Sequence, residues 1–148
     1  MNSIWGNFRR LNTITGWIIF AVSSGVYLLT LEPTVSFWDC GEFILSSFRL
    51  QVGHPPGAPL FLMIGRIATM FAGGDTSKVA LMMNAFSALS SGFAIMFLFW
   101  TITHLVRKFY AGKEEVASHQ IPAILGSGII GALAYTFSDT FWFSAVEG

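Results

Sequence analysis

Charge is what this sequence has least of. Only 11% of its 148 residues are Asp, Glu, Lys or Arg, where a soluble globular domain carries about 25%. That excludes a water-facing surface over most of the chain. The 8 basic and 8 acidic residues cancel, and no basic tract exists, which excludes a nucleic-acid partner. A single cysteine, Cys40, excludes an internal disulfide and a cysteine-rich metal site. What fills the chain instead is apolar. It is 53% hydrophobic, with 15 Phe and 5 Trp, and its mean hydropathy is +0.63. This is the composition of an integral membrane protein.

Four apolar segments follow one another. Ile14–Leu31 carries no charge and is preceded by Arg9 and Arg10. Ala58–Ala72 is short and holds Arg66 near its middle. Val79–Val106 is long and is followed by Arg107 and Lys108, and Ile121–Phe137 is rich in glycine. A spanning helix needs about 20 apolar residues, and a charge at the bilayer centre costs about 2.5–3.5 kcal/mol on insertion scales. Ala58–Ala72 fails on both counts. Basic residues beside spans collect on the cytoplasmic side. If Ala58–Ala72 does not cross, Arg9, Arg10, Arg107, Lys108 and Lys113 all fall inside; if it crosses, the later cluster falls outside.

The expectation is therefore an all-α integral membrane chain with three transmembrane helices, at about 14–31, 79–106 and 121–137, forming a single N-terminal membrane domain over 1–148. The N-terminus is cytoplasmic. Residues 32–78 form an outer loop with one or two interfacial helices, at about 39–50 and 58–72. The first span is longer than a secretory core and lacks an A-x-A site after it, which favours an uncleaved anchor over a signal peptide. Ser87 and Ser91, Ala88 and Gly92, and Gly128 and Ala132 repeat at a spacing that lets helices approach closely. The chain ends on FWFSAVEG with no polar tail, as expected of the N-terminal part of a longer protein.

The outer loop carries the chemistry. FWDCGEF, residues 37–43, sets Asp39 and Glu42 one helical turn apart, beside Trp38. At about 100° per residue, Asp39, Glu42, Ser46 and Arg49 share one polar face. Two readings stand. The carboxylates point together into one site, or Ser36, Asp39 and Glu42 serve as capping-box residues at a helix start. GHPPGAP follows at residues 53–59. Its prolines fix the backbone and push His54 toward extended geometry, either to hold an imidazole in place or simply to turn the chain. Arg49 and Arg66 flank this corner. A guanidinium suits a headgroup-level phosphate, and ordinary snorkelling is the alternative. Asp139 and Glu147 begin a second outer loop on the same side, among Phe141, Trp142 and Phe143, as in an interfacial aromatic belt.

The runs LEPTVSFWDCGEFILSSFRLQVGHPPGAPLF and VALMMNAFSALSSGF, with the terminal FWFSAVEG, closely resemble the N-terminal part of a bacterial membrane family known as domain of unknown function 2723. That family is related to eukaryotic transmembrane O-mannosyltransferases, and both resemble the GT-C superfamily of lipid-linked-sugar glycosyltransferases. The resemblance covers nearly all of residues 14–148. It implies the N-terminal part of a GT-C-like bundle in a bacterial inner membrane, with residues 32–78 periplasmic. It implies an enzyme that moves a sugar, mannose in the eukaryotic relatives, from a polyprenyl-phosphate donor to an acceptor hydroxyl at the outer face, with inversion. A protein Ser or Thr is the implied acceptor. Asp39 matches the catalytic base and Glu42 accompanies it. Glu147 matches the second-loop acid, ahead of Asp139, and His54 falls in a matched motif. Trp38, His54, Arg49, Arg66 and Glu147 are then the substrate-binding candidates. No metal site is assigned. Asp39, Glu42 and Glu147 offer the oxygens a divalent cation takes, but no ligand spacing calls for one.

Two other classes compete. A transporter or flippase half also uses broken helices and intramembrane charge, although the spans here contain almost none. A non-catalytic membrane subunit predicts that the acidic face of residues 39–49 tolerates substitution.

Overall fold

In lipid a backbone amide has no water to bond, so an apolar run satisfies itself best as a helix. The computed structural model describes residues 2–36, 38–55, 57–111 and 116–147. Lys113 of the basic cluster, Phe37 of the first motif and Pro56 of the second lie outside the described residues. Six α-helices form among the described residues: α1 (Asn2–Leu29), α2 (Cys40–Arg49), α3 (Pro59–Met70), α4 (Val79–Ala111), α5 (Ile121–Thr136) and α6 (Asp139–Glu147). Short 3-10 turns precede α4 and α5, at Thr76–Lys78 and Ser118–Gln120. No strand occurs among the described residues. The protein is an all-α membrane protein. Two helices, Asn7–Leu29 and Thr76–Tyr110, are long and apolar enough to cross a membrane, and the bent pair α5–α6 makes a third if it counts as one span. The apolar helix Pro59–Met70 is shorter.

The chain forms two compact units, Met1–Val26 with Ser91–Phe141, and Tyr27–Ser90 with Trp142–Gly148. In the first, parts of α1, α4 and α5 bury Ile19, Ile95, Phe99 and Ala132, flanked by Leu125, Ile129 and Leu133. Contact in lipid depends on close packing more than on exclusion of water. Small residues supply it. A Cβ on Gly128 would fall 2.5 Å from Thr103 Cγ2, and one on Gly92 would overlap the Ser24 hydroxyl.

In the second unit α2 packs on α3. Ile44, Ala72, Val79, Ala80 and Met83 form its core, with Phe48 and Phe61 against them. Gly65 makes room, since a Cβ there would lie 2.7 Å from Ser47 Oγ. Each element has a local cause. Leu50 ends α2 in a left-handed conformation (φ 51°), and the Gln51 N–H closes the turn on the Ser46 carbonyl at 2.9 Å. Pro59 starts α3, where its missing N–H costs no bond. Asp75 accepts from the Ser77 N–H at 3.0 Å and pairs with Lys78 at 3.1 Å, opening the turn into α4.

The segment before α2 is tied at several points. The amide of Asn84, fully buried on α4, donates to the carbonyls of Glu32 (2.8 Å) and Thr34 (3.1 Å). From the α6 side, Trp142 Nε1–H donates to Thr30 Oγ1 at 2.9 Å. The Glu32 N–H donates to the Val146 carbonyl at 3.2 Å, and the Ser36 hydroxyl donates to Glu147. These bonds fix where the chain enters the Trp38–Asp39 corner.

Candidate functional site

The site is built at the start of α2. Trp38 is left-handed (φ 62°) and 93% exposed, an uncommon conformation for a bulky residue. Asp39 follows as the N-cap residue, but its side chain makes no capping bond. The capping role open to Asp39 in the sequence is therefore not what its carboxylate does. Glu42 sits one turn on, in the first turn of α2.

After α2 ends, the chain turns back and returns His54 to Glu42. One oxygen of Glu42 accepts the His54 backbone N–H at 2.7 Å, and the other meets His54 Nδ1 at 2.9 Å. Gly53 permits this grip, because a Cβ there would stand 3.2 Å from Glu42 Oε1. The Phe43 ring lies edge-on to the imidazole, with centroids 6.1 Å apart, and Phe61 backs Phe43 at 5.8 Å. A carboxylate at Nδ1 holds the proton on that nitrogen. Nε2 is then directed at Asp39, with 3.9 Å to Oδ2. That is an electrostatic contact, too long for a hydrogen bond. The three side chains remain open to solvent, at 66% exposure for Asp39, 40% for Glu42 and 49% for His54.

The contacts move the titrations. The ring hydrogen bond from His54, then its backbone N–H, hold Glu42 below the usual carboxylate range. The same bond to Glu42 raises His54, and Asp39 adds to the rise. Burial first and the Glu147 charge second push the Cys40 thiol up.

The remaining candidates divide. Glu147, the last residue of α6, takes the Ser36 hydroxyl and bears on Cys40, next to Asp39. Arg49 lies at the far end of α2 from Asp39, with its guanidinium 5.9 Å from the Phe48 ring centroid. Arg66 reaches back from α3 to α2. Its Nη1 donates to the Phe48 carbonyl at 2.6 Å, and its guanidinium stands 5.5 Å from the Phe48 ring centroid. It thereby satisfies one of the carbonyls that a helix leaves open at its C-terminus. Asp139 opens α6. Two features were missed by sequence reasoning. The grip of Glu42 on His54 had one faint signal, Gly53 before the histidine. The Asn84 tie had none, since a polar residue near a span end is ordinary.

Among the described residues, Asp39, Glu42 and His54 each offer a ligand atom, all within 4.8 Å of one another. Glu42 already bonds Nδ1, so a cation here would take Asp39 and Nε2, with Glu42 orienting the ring as carboxylates do behind metal-bound histidines.

An all-helical membrane protein whose loop gathers two carboxylates and a histidine at one exposed corner is the class that fold and site define. Residues 39–148 match the model of a family described as the protein O-mannosyl-transferase TMEM260 N-terminal domain, and this chain belongs to that family. A relative from Dictyostelium discoideum, named protein O-mannosyl-transferase tmem260, is 27% identical over 131 residues, 88% of this chain and 14% of its own length. A relative from Mus musculus, named protein O-mannosyl-transferase TMEM260, is 31% identical over 125 residues, 84% of this chain and 15% of its own length. The chain thus spans about a seventh of the length of the curated relatives it matches. No solved structure matches it.

Proposed function

We propose that this chain is the N-terminal membrane part of a glycosyltransferase, one that moves mannose from a polyprenyl-phosphate donor to a protein hydroxyl at the outer membrane face, with inversion. The observation that carries the reading is the Asp39–Glu42–His54 corner, open to solvent, in a chain whose relatives are named for O-mannosyl transfer. The membrane is a bacterial inner membrane, and residues 32–78 lie on its outer side.

Asp39 acts as general base. It takes the acceptor hydroxyl proton as the oxygen bonds to the anomeric carbon, and the bond from that carbon to the donor phosphate oxygen breaks. Glu42 positions His54 through its two hydrogen bonds. The imidazole, biased toward its cation, faces the charge that builds on the departing phosphate. Of the basic side chains considered for that task, Arg66 is committed to the Phe48 carbonyl, which favours His54. Glu147 supplies the second-loop carboxylate, and Trp38 offers an exposed ring for a sugar face.

The test is mannose transfer from polyprenyl-phosphate mannose to a Ser/Thr peptide by the full-length protein. Asp39→Asn is expected to cut the rate about 10²–10⁴-fold, the usual worth of a positioned base. Transfer at the normal rate would overturn the base assignment.

A further inference from the structure

The first unit holds a second concentration of chemistry, remote in sequence from the acidic corner. α1 and α4 run antiparallel there and leave an open cavity of about 550 Å³. From α1 it is lined by Phe8, Arg9 and Asn12, and from α4 by Trp100, His104 and Arg107, among others. Among the described residues no carboxylate lines it.

The floor is fixed. Trp100 Nε1–H donates to the Asn12 carbonyl at 3.1 Å. Its indole lies so close over Gly16 that a Cβ on that glycine would overlap the ring. Phe8 is 5% exposed and packs on Val116 and Ile124. Trp100 and Phe8 therefore give the cavity a packed floor. Asn12 also keeps a buried side-chain oxygen with no hydrogen-bond partner. Turning its amide over would present N–H donors at the same point.

The cavity sits where both candidate spans end, since they run Asn7–Leu29 and Thr76–Tyr110. In a chain that crosses with both helices, such ends lie at headgroup depth. Basic residues at a span end serve orientation as exposed, solvated charges. Here two guanidiniums and an imidazole, with Arg9 and His104 exposed and Arg107 partly buried, line one open concave space beside aromatic walls. Guanidinium takes phosphate oxygens in pairs, and basic pockets between spanning helices hold anionic headgroups. We infer that this cavity binds the phosphate of an anionic lipid, with Arg9 and Arg107 on the phosphoryl oxygens and Trp100 and Phe8 beside the first carbons of the lipid.

The experiment places the full-length protein in phosphatidylcholine nanodiscs with and without phosphatidic acid, then counts retained lipid by native mass spectrometry. Phosphatidic acid is expected to stay bound and phosphatidylcholine to leave. The double variant Arg9→Gln/Arg107→Gln is expected to weaken retention roughly thirtyfold. Inorganic phosphate is expected not to displace the lipid; displacement by it alone would keep the site but make free phosphate its ligand. Equal retention by the double variant, or of phosphatidylcholine, would overturn the inference. Should that variant fail to insert, phenylglyoxal modification of the unaltered protein decides. Phosphatidic acid must then protect Arg9 and Arg107 and leave Arg49 unprotected; equal modification with and without it refutes the site.

Discussion

At the scale of residues, the corner depends on one carboxylate making two bonds. The raised His54 pKa means that the fold favours its cation, a contribution complete below about pH 6.5, the free histidine value, and lost as pH rises through the folded value. The lowered Glu42 pKa means that the fold favours its anion. That contribution is complete above about pH 4.3 and lost as pH falls through the folded value. Both are whole only between about pH 4.3 and 6.5. Glu42→Gln is therefore expected to lower the His54 pKa, read by NMR of the imidazole, and to flatten the pH dependence of the corner's protection from hydrogen exchange. An unchanged histidine titration would mean that the grip does not form in solution. The sequence showed Asp39 and Glu42 as a pair on one helical face, because periodicity reports which side chains share a face. It did not show that Glu42 turns to His54, because periodicity is silent on how a chain turns back once a helix ends.

Elements are placed by small residues and by single polar ties. Gly128 leaves room for Thr103 and Phe99 of α4 to pack directly on α5, and the spacing of Gly128 and Ala132 was legible because small residues repeat on one helix face. Gly128→Val forces its side chain into Thr103 and Phe99. Overpacking of this kind costs about 1–3 kcal/mol, to be read as a lower thermal midpoint in detergent; an unchanged midpoint would mean that α5 shifts freely. Asn84 makes a different prediction. Its amide serves two carbonyls from a fully buried position. Asn84→Ala leaves both carbonyls without a donor, at a cost of about 1–3 kcal/mol. It should also loosen the entry to the acidic corner, seen as faster proteolysis within residues 30–36 than in the unaltered protein. The all-helical class was readable from composition and run length alone. The ties that position the loop were not, because a lone Asn or Trp in an apolar run carries no mark of its distant partner.

For the whole molecule, the function turns on which side of the membrane the corner faces. α4 has 33 residues, about 50 Å at 1.5 Å per residue, against a hydrocarbon core of about 30 Å. Its two ends therefore reach opposite sides if it crosses at all. The proposed orientation puts the end carrying Arg107 and Lys108 in the cytoplasm, where basic residues beside spans collect, and Thr76, with the loop bearing Asp39, Glu42 and His54, outside. Cys40 is a poor reporter of this, since burial and Glu147 raise its thiol pKa and slow its reaction with maleimide. Replacing Cys40 with Ser and placing single cysteines at Thr76 and at Phe109, the latter 89% exposed, gives a sharper test. An impermeant maleimide applied to intact spheroplasts should label position 76 at once and position 109 only after permeabilisation. The reverse pattern would put the acidic corner in the cytoplasm, away from outer-face donors, and the glycosyltransferase reading would fall. Labelling of both positions from outside would mean that α4 does not cross, and the span count itself would have to be redrawn.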